Sequence, residues 1–338
     1  EIEAAYNNIL NSYVEKVDES ELTNAAIKGM YSYLGDPYTS YLDKDSTTNL
    51  MDRLNGEYKG IGVEITSTES GTMVMTVFDG SPASKAGIMV GDIITKVADN
   101  DVQNSTPSEV SNLIKSTNGT TTIEVLRGGV YKTLEINVEK VSIPSVSSSN
   151  FDGVGYIKIT TFSNNTYEQF KTALSSLEKE NIDSLVIDVR NNGGGFLNAA
   201  VDIAELFIEK GKNVYGLETK EKTEYYKDST KESRKYKVGI LLNSASASAS
   251  EILAAALKES YGATLLGLTS YGKGTVQETS ELETGGMIKY TTAYWLTPNG
   301  NKINNVGLKP DVEITGDYND DMDYESDTQL LTAIKNMK

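Results

Sequence analysis

Tyr236-Lys-Val-Gly-Ile-Leu-Leu-Asn243 runs directly into Ser244-Ala-Ser-Ala-Ser248-Ala-Ser250-Glu251 and an Ala- and Leu-rich stretch ending near Glu259. The first segment reads as an apolar strand and Ser248–Glu259 as a helix. A strand with no polar alternation is buried on both faces, as in a parallel sheet covered by helices. The same alternation surrounds it. Strands are expected at Val154–Phe162, Ser184–Arg190 and Ala263–Leu268, and amphipathic helices at Tyr167–Glu180 and Leu197–Lys210. The pattern predicts a mixed α/β fold whose core is a βαβ-type sheet.

Upstream the texture changes twice. Residues 1–56 read as helical, with Ile2, Tyr6, Ile9, Leu10, Tyr13, Val14 and Val17 at helical spacing and Asp18 three residues before Glu21 as a second start. Residues 57–141 are β-rich, with strands expected at Tyr58–Ile65, Met73–Phe78, Asp92–Val97, Thr120–Leu126 and Val130–Val138, and short helices near Ser84–Gly87 and Pro107–Lys115. Ser142–Asn150 reads as a linker by composition, and Glu218–Arg234 as a solvated hairpin or loop. Three segments follow: 1–56 helical, 57–141 a β-rich module inserted into the chain, and 142–338 the core with its C-terminal segment. A length of 338 residues, at roughly 150 per domain, agrees.

The chain has no His and no Cys. That excludes Ser-His-Asp and Cys-His catalysis, zinc held by His or Cys, iron–sulfur clusters and disulfides. Net charge is −17, which repels phosphate backbones and makes nucleic acid an unsuitable partner. No cofactor and no metal is expected. The acidic stretch Asp317–Asp327 has Met322 where a calcium loop needs Gly and Thr328 where it needs Glu. No apolar run spans a membrane, and the chain opens in mid-helix at Glu1, which raises the expectation of a trimmed export segment or membrane anchor.

In a protein without histidine, hydrolysis must run on Ser, Thr, Lys, Tyr or carboxylates. Ser248 stands where a strand turns into a helix, a position that exposes a hydroxyl beside the next backbone N–H. Ser248-x-x-Glu251 is equally a capping box that does nothing but start the helix. Tyr271-Gly-Lys273-Gly-Thr-Val-Gln277 sets one lysine between glycines beside apolar strands. Lys273 could act as a general base, with Gln277 orienting its amine without a charge that would raise its pKa. Gly267-x-x-x-x-Gly272-Lys273 also begins a phosphate-binding loop, but Gly274 replaces the required Ser or Thr. Asp188-Val-Arg-Asn-Asn-Gly-Gly-Gly195 is a strand end and glycine turn whose N–H groups could face an oxyanion, or a plain tight turn.

Together these motifs, with Leu34-Gly-Asp-Pro-Tyr-Thr-Ser-Tyr-Leu42 and Asn305-Val-Gly-Leu-Lys-Pro-Asp-Val312, resemble the carboxy-terminal processing peptidases, or tail-specific proteases, over nearly the whole chain. The resemblance implies Ser248 as nucleophile, Lys273 as base and Gln277 as third member. It implies oxyanion donors at the N–H groups of Ala249 and Gly194. Gly193 stands where many relatives have Pro, Glu259 where some have a functional Asp, and Tyr38 where His is common. The 57–141 module resembles a PDZ domain, with Gly60, Ile61, Gly62 and Val63 as its carboxylate-binding loop and first strand. Val110, Leu113 and Ile114 are groove-side candidates that could equally be core, and Arg127 is either a link toward the catalytic face or a solvated hairpin residue.

The implied function is a Ser-Lys endopeptidase working outside the cytoplasm on proteins or peptides with a free C-terminus, with an oligomer possible. The alternatives are a PDZ peptide-binding protein that no longer cleaves and, more remotely, a P-loop nucleotide-binding protein.

Overall fold

The computed structural model describes residues 1–283, 285–319 and 324–338. The centre of the acidic stretch around Met322 lies outside the described residues. The chain forms two compact units, Glu1–Met51 with Ser184–Lys338, and Asp52–Asp183.

The first unit is built on four parallel strands in the order Val312–Glu313, Thr264–Gly267, Lys237–Leu242, Ser184–Asp188. Every residue of Ser184–Asp188 and all but the first of Lys237–Leu242 are buried, as their unbroken apolar run predicts. Leu197–Glu205, Ala249–Ala256 and Thr328–Met337 are its helices. The helix after Ser248 gives way to a π-helical turn, Leu257–Tyr261.

The same unit holds an antiparallel sheet that the sequence pattern left unread. Met287–Leu296 pairs with Thr275–Glu281, with Asn213–Glu218 and with the short strand Ser40–Leu42. Asn213–Glu218 continues into the exposed hairpin strand Thr223–Lys227, so the charged stretch expected at 218–234 is a hairpin in its first half. The N-terminal helices Ile2–Ser12 and Glu19–Ser32 bury no residue completely. No described helix is long and apolar enough to cross a membrane.

In the second unit, antiparallel strands run in the order Glu57–Gly60, Val130–Ser142, Gly119–Arg127, Ile93–Val97, Gly71–Val77, Val63–Thr68. The run expected as one strand over Tyr58–Ile65 is thus two, broken at Ile61-Gly62. The core comprises Ile61, Val74, Ile94, Val110, Ile123, Val125 and Ile136 among others. Helix Pro107–Ser116 starts at a complete capping box between Thr106 and Glu109. The expected linker is corrected. Val146–Phe151 is a strand paired antiparallel with Val154–Ile159, its serines alternating along a ladder that needs backbone groups rather than apolar side chains.

Candidate active site

Strands Ser184–Asp188 and Lys237–Leu242 end side by side, and each turns sharply beyond its last residue. The two turns are joined by polar side chains. Ser246 Oγ donates to the Val189 carbonyl at 2.7 Å, Ser250 Oγ to the Asn192 carbonyl at 2.8 Å, and Ala247 N–H to the same carbonyl at 3.1 Å. Asn191 and Asn243 exchange two further bonds, at 3.0 and 2.8 Å. The alternating serines thereby separate. Ser246 and Ser250 fasten the turn, whereas Ser248 Oγ has no hydrogen-bond partner among the described residues and is half-buried.

Ser248 sits at φ 57°, ψ −117°, a conformation a non-glycine residue adopts only at a cost of about 1–3 kcal/mol and one that clusters at functional sites. The helix begins at the next residue, Ala249, whose N–H is unpaired among the described residues. Gly194 packs against this corner at φ +104°: a Cβ there would come within 2.8 Å of Ser248 Cβ and 3.1 Å of Ala249 N. Gly194 N–H donates to Asn192 Oδ1 at 2.9 Å, because the turn folds that side chain back onto its own backbone.

Glu251 joins the Ser248 turn to the lysine loop. Its carboxylate is buried at 1% exposure and accepts from Ser248 N–H (2.9 Å), Lys273 N–H (2.9 Å), Gly272 N–H (2.7 Å) and Ser270 Oγ (2.5 Å). Burial pushes its carboxyl up, and these four donors oppose that rise. Glu251 reaches back to Ser248 N–H, the pairing that the expected capping box calls for. Sequence reading had Glu251 as a helix cap and missed this joining role. Nothing local to the motif could reveal the Ser270–Lys273 side of it.

Lys273 is half-buried, and Trp295 Nε1 donates to its carbonyl at 2.7 Å. Burial lowers the pKa of its amine, helped by the positive charge of Lys289, against the opposing pull of Glu251 and Asp36. The carboxylate-free surroundings expected for this base are therefore not found, yet the net direction is the one a base requires. Lys273 Nζ makes no hydrogen bond to Ser248 among the described residues and lies 4.9 Å from the centre of the Tyr38 ring. Gln277 does not reach Lys273 either: its Nε2 donates to Thr275 Oγ1 at 2.9 Å and Thr291 Oγ1 at 3.2 Å, the neighbours its strand supplies. The loop after Lys273 enters strand Thr275–Glu281 and not a helix, so the phosphate-loop reading loses its required geometry.

Arg190 anchors the other turn. It pairs with Asp188 and Asp327, each at 2.7 Å through Nη2, and is 1% exposed. Burial works against its charge, but the two carboxylates outweigh it and raise its pKa. Glu259 carries no such role; its carboxylate accepts from Asn299 N–H at 2.8 Å.

In the second unit, Gly60 ends one strand, Ile61-Gly62 forms the connecting loop, and Val63 opens Val63–Thr68, the edge strand of the sheet. Gly62 has φ +85°, and a Cβ there would meet Ser81 Cβ at 2.3 Å. A narrow cleft of about 40 Å³ lies between the edge strand and helix Pro107–Ser116, lined by Tyr58, Gly60, Val63, Ile65, Ile114 and Lys115 among others. Val110 is core, whereas Ile61 and Ile114 belong to the core and also touch the cleft. Arg127 is partly exposed. It grips the buried Asp92 through two 2.6 Å bonds and the Gly87 carbonyl at 2.7 Å, because an uncompensated Asp92 inside the module would be costly.

The described geometry accords with known families. Residues 153–314 match the model of peptidase family S41, residues 60–138 that of the PDZ domain, and residues 1–46 that of the activating protease CtpB N-terminal domain. The chain is 37% identical over 317 residues to the “Probable CtpA-like serine protease” of Staphylococcus haemolyticus (strain JCSC1435) and 39% identical to that of Staphylococcus aureus (strain N315). Each match covers 93% of this chain and 64% of the relative, so the chain spans under two thirds of their length. Among solved structures, the photosystem II D1 C-terminal processing protease is 27% identical, with a TM-score of 0.54 over 93% of this chain and 92% of that one. The chain thus carries an S41 peptidase domain with a PDZ domain. The proteins to which the chain is similar are CtpA-like and C-terminal processing proteases.

Proposed function

We propose that the chain is a serine endopeptidase with Ser248 as nucleophile and Lys273 as general base. The observation that carries this is Ser248 itself, held in a strained conformation at a strand–helix corner, its hydroxyl unpartnered beside the unpaired N–H of Ala249. Neutral Lys273 takes the Ser248 proton as Oγ attacks the scissile carbonyl carbon. The resulting oxyanion turns toward Ala249 N–H, joined by a turn glycine once Gly194 N–H leaves Asn192. The lysine ammonium then protonates the leaving amine, the C–N bond breaks, and an acyl-enzyme remains. Water, deprotonated by the regenerated amine, releases the acid. Gln277 enters as the group that orients Lys273 once it leaves Thr291.

Substrates on this reading are proteins with an exposed C-terminal tail. The tail adds as a strand along Val63–Thr68, and its carboxylate meets the Gly60–Gly62 loop with Lys115 beside it. The setting that the family resemblance implies is extracytoplasmic.

Hydrolysis of a fluorogenic peptide should fall by more than about 10⁴-fold in Ser248→Ala. Ser246→Ala and Ser250→Ala should still cleave while losing about 1 kcal/mol of stability each. Cleavage that survives in pure Ser248→Ala removes the assignment. The absence of a hydrogen bond between the Ser248 and Lys273 side chains among the described residues favours one other reading, a peptide-binding protein without hydrolysis. It would bind tail peptides in the same assay and cleave none of them.

A further inference from the structure

Two separate contacts of the lysine loop converge on one turn near the N-terminus, Asp36-Pro37-Tyr38-Thr39. Lys273 Nζ lies over the Tyr38 ring, 4.9 Å from its centre. Gln277 Nε2 donates to Thr291 Oγ1, and Thr291 Oγ1 donates onward to Asp36 Oδ2 at 2.6 Å. The turn is tightly made. Tyr38 N–H and Thr39 Oγ1 both donate to the Asp36 carboxylate, at 3.0 and 2.6 Å, and Thr291 N–H donates to Thr39 Oγ1 at 3.2 Å.

We propose that this turn restrains the catalytic base: Tyr38 and Asp36 are positioning residues that hold Lys273 and Gln277 away from Ser248, and cleavage requires their release. The inference rests on the Ser248–Lys273 reading. An aromatic face attracts an ammonium more than a neutral amine, so Tyr38 competes both for the position of Nζ and for its protonated form. A hydroxyl-to-carboxylate bond of 2.6 Å is charge-assisted, which makes Thr291 a firm tether for the Gln277 amide. Burial works to raise the Asp36 carboxyl, but the bonds from Thr291, Thr39 and Tyr38, with Lys273 nearby, leave it below the usual range and hence charged. Lys273 is faced by Tyr38, Asp36, Glu251 and Lys289. Removing the ring face while keeping an apolar neighbour therefore leaves Asp36, Glu251 and Lys289 in place.

The test compares wild type with Tyr38→Leu, Tyr38→Phe and Thr291→Val, by peptide hydrolysis across pH and by NMR titration of the Lys273 side chain. Tyr38→Leu should raise kcat by about two- to tenfold with KM unchanged. It should also move both the rising limb of activity and the Lys273 titration to lower pH, because the ammonium loses its support. Tyr38→Phe keeps the ring face and should stay within about twofold of wild type. Thr291→Val cuts the tether at nearly constant volume and should also raise kcat.

An unchanged or lower kcat in Tyr38→Leu, in an enzyme whose cleavage depends on Ser248, overturns the proposal, as does an unmoved Lys273 titration. If Tyr38→Leu fails to fold, Thr291→Val decides alone, and no rise in kcat overturns it. A Lys273 titration that moves while no protein cleaves, wild type included, supports the restraint and assigns the failure to the dyad.

Discussion

The corner that carries Ser248 and the loop that carries Gly60–Val63 are both short irregular segments at the end of a strand, and they are held by opposite means. Around Ser248 the fastenings are buried polar groups: Glu251 with four donors, Arg190 between two carboxylates, Ser246 and Ser250 on backbone carbonyls. Around Gly60–Val63 the side chains vanish into an apolar core at Ile61, Val110 and Ile114, and what remains at the surface is a strand edge. A site that works through side chains needs each one aimed within a fraction of an ångström, which directional hydrogen bonds supply. A site that works through backbone needs only the edge to stay straight and open, which apolar packing supplies.

The comparison breaks most easily at Glu251. Glutamine there offers one acceptor and two donors where the protein presents four donors, so Ser248 N–H, Lys273 N–H, Gly272 N–H and Ser270 Oγ compete for a single oxygen. Glu251→Gln should lower kcat by about 10²-fold through misplacement of both dyad members, and lower stability by about 1–3 kcal/mol. Peptide hydrolysis and thermal unfolding measured side by side decide it. Near-wild-type values in both would mean the polar network is not what holds the corner.

The PDZ side of the comparison is sharpened with the ligand rather than the protein. A tail peptide with a free carboxylate should bind the full chain about tenfold more tightly than its C-terminal amide, a difference of about 1.4 kcal/mol. Cleavage of the two, once bound, should proceed at the same kcat. Equal affinities in calorimetry would show that the Gly60–Gly62 loop does not read a carboxylate.

Legibility in the sequence followed the same divide. The buried strands of both units were plain because apolar periodicity is local, and their bounds moved by only a few residues. Gly62 was read inside a single strand over Tyr58–Ile65, and only the resemblance to a PDZ domain marked it as a loop glycine. Ser142–Asn150 misled because serine composition suggests a linker, whereas an antiparallel ladder draws on backbone groups that composition does not report. Ser248 was singled out through a family resemblance, since a serine repeat alone does not say which hydroxyl is spared a structural bond. Glu251, Tyr38, Asp36 and Thr291 were missed in their observed roles. Their partners lie tens to hundreds of residues away, and no local spacing encodes a pairing of Asp36 with Thr291.

The smallest expected effect lies at Lys289, which tests whether Lys273 is tuned as a base at all. Burial is the larger cause of its lowered pKa, and the Lys289 charge adds to it. On the proposed reading neutral Lys273 is the active form, so kcat/KM should rise with pH through the lowered pKa and be lost below it. Lys289→Gln removes a like charge and stabilises the ammonium, so the rising limb should move to higher pH while the plateau above it stays unchanged. Lys289→Arg keeps the charge and should leave the limb where it was. Both variants change a side chain on strand Met287–Leu296, so a packing effect would lower the plateau and leave the limb in place. A limb that stays put in Lys289→Gln, at full plateau activity, would mean that the group titrating in the profile is not the amine of Lys273.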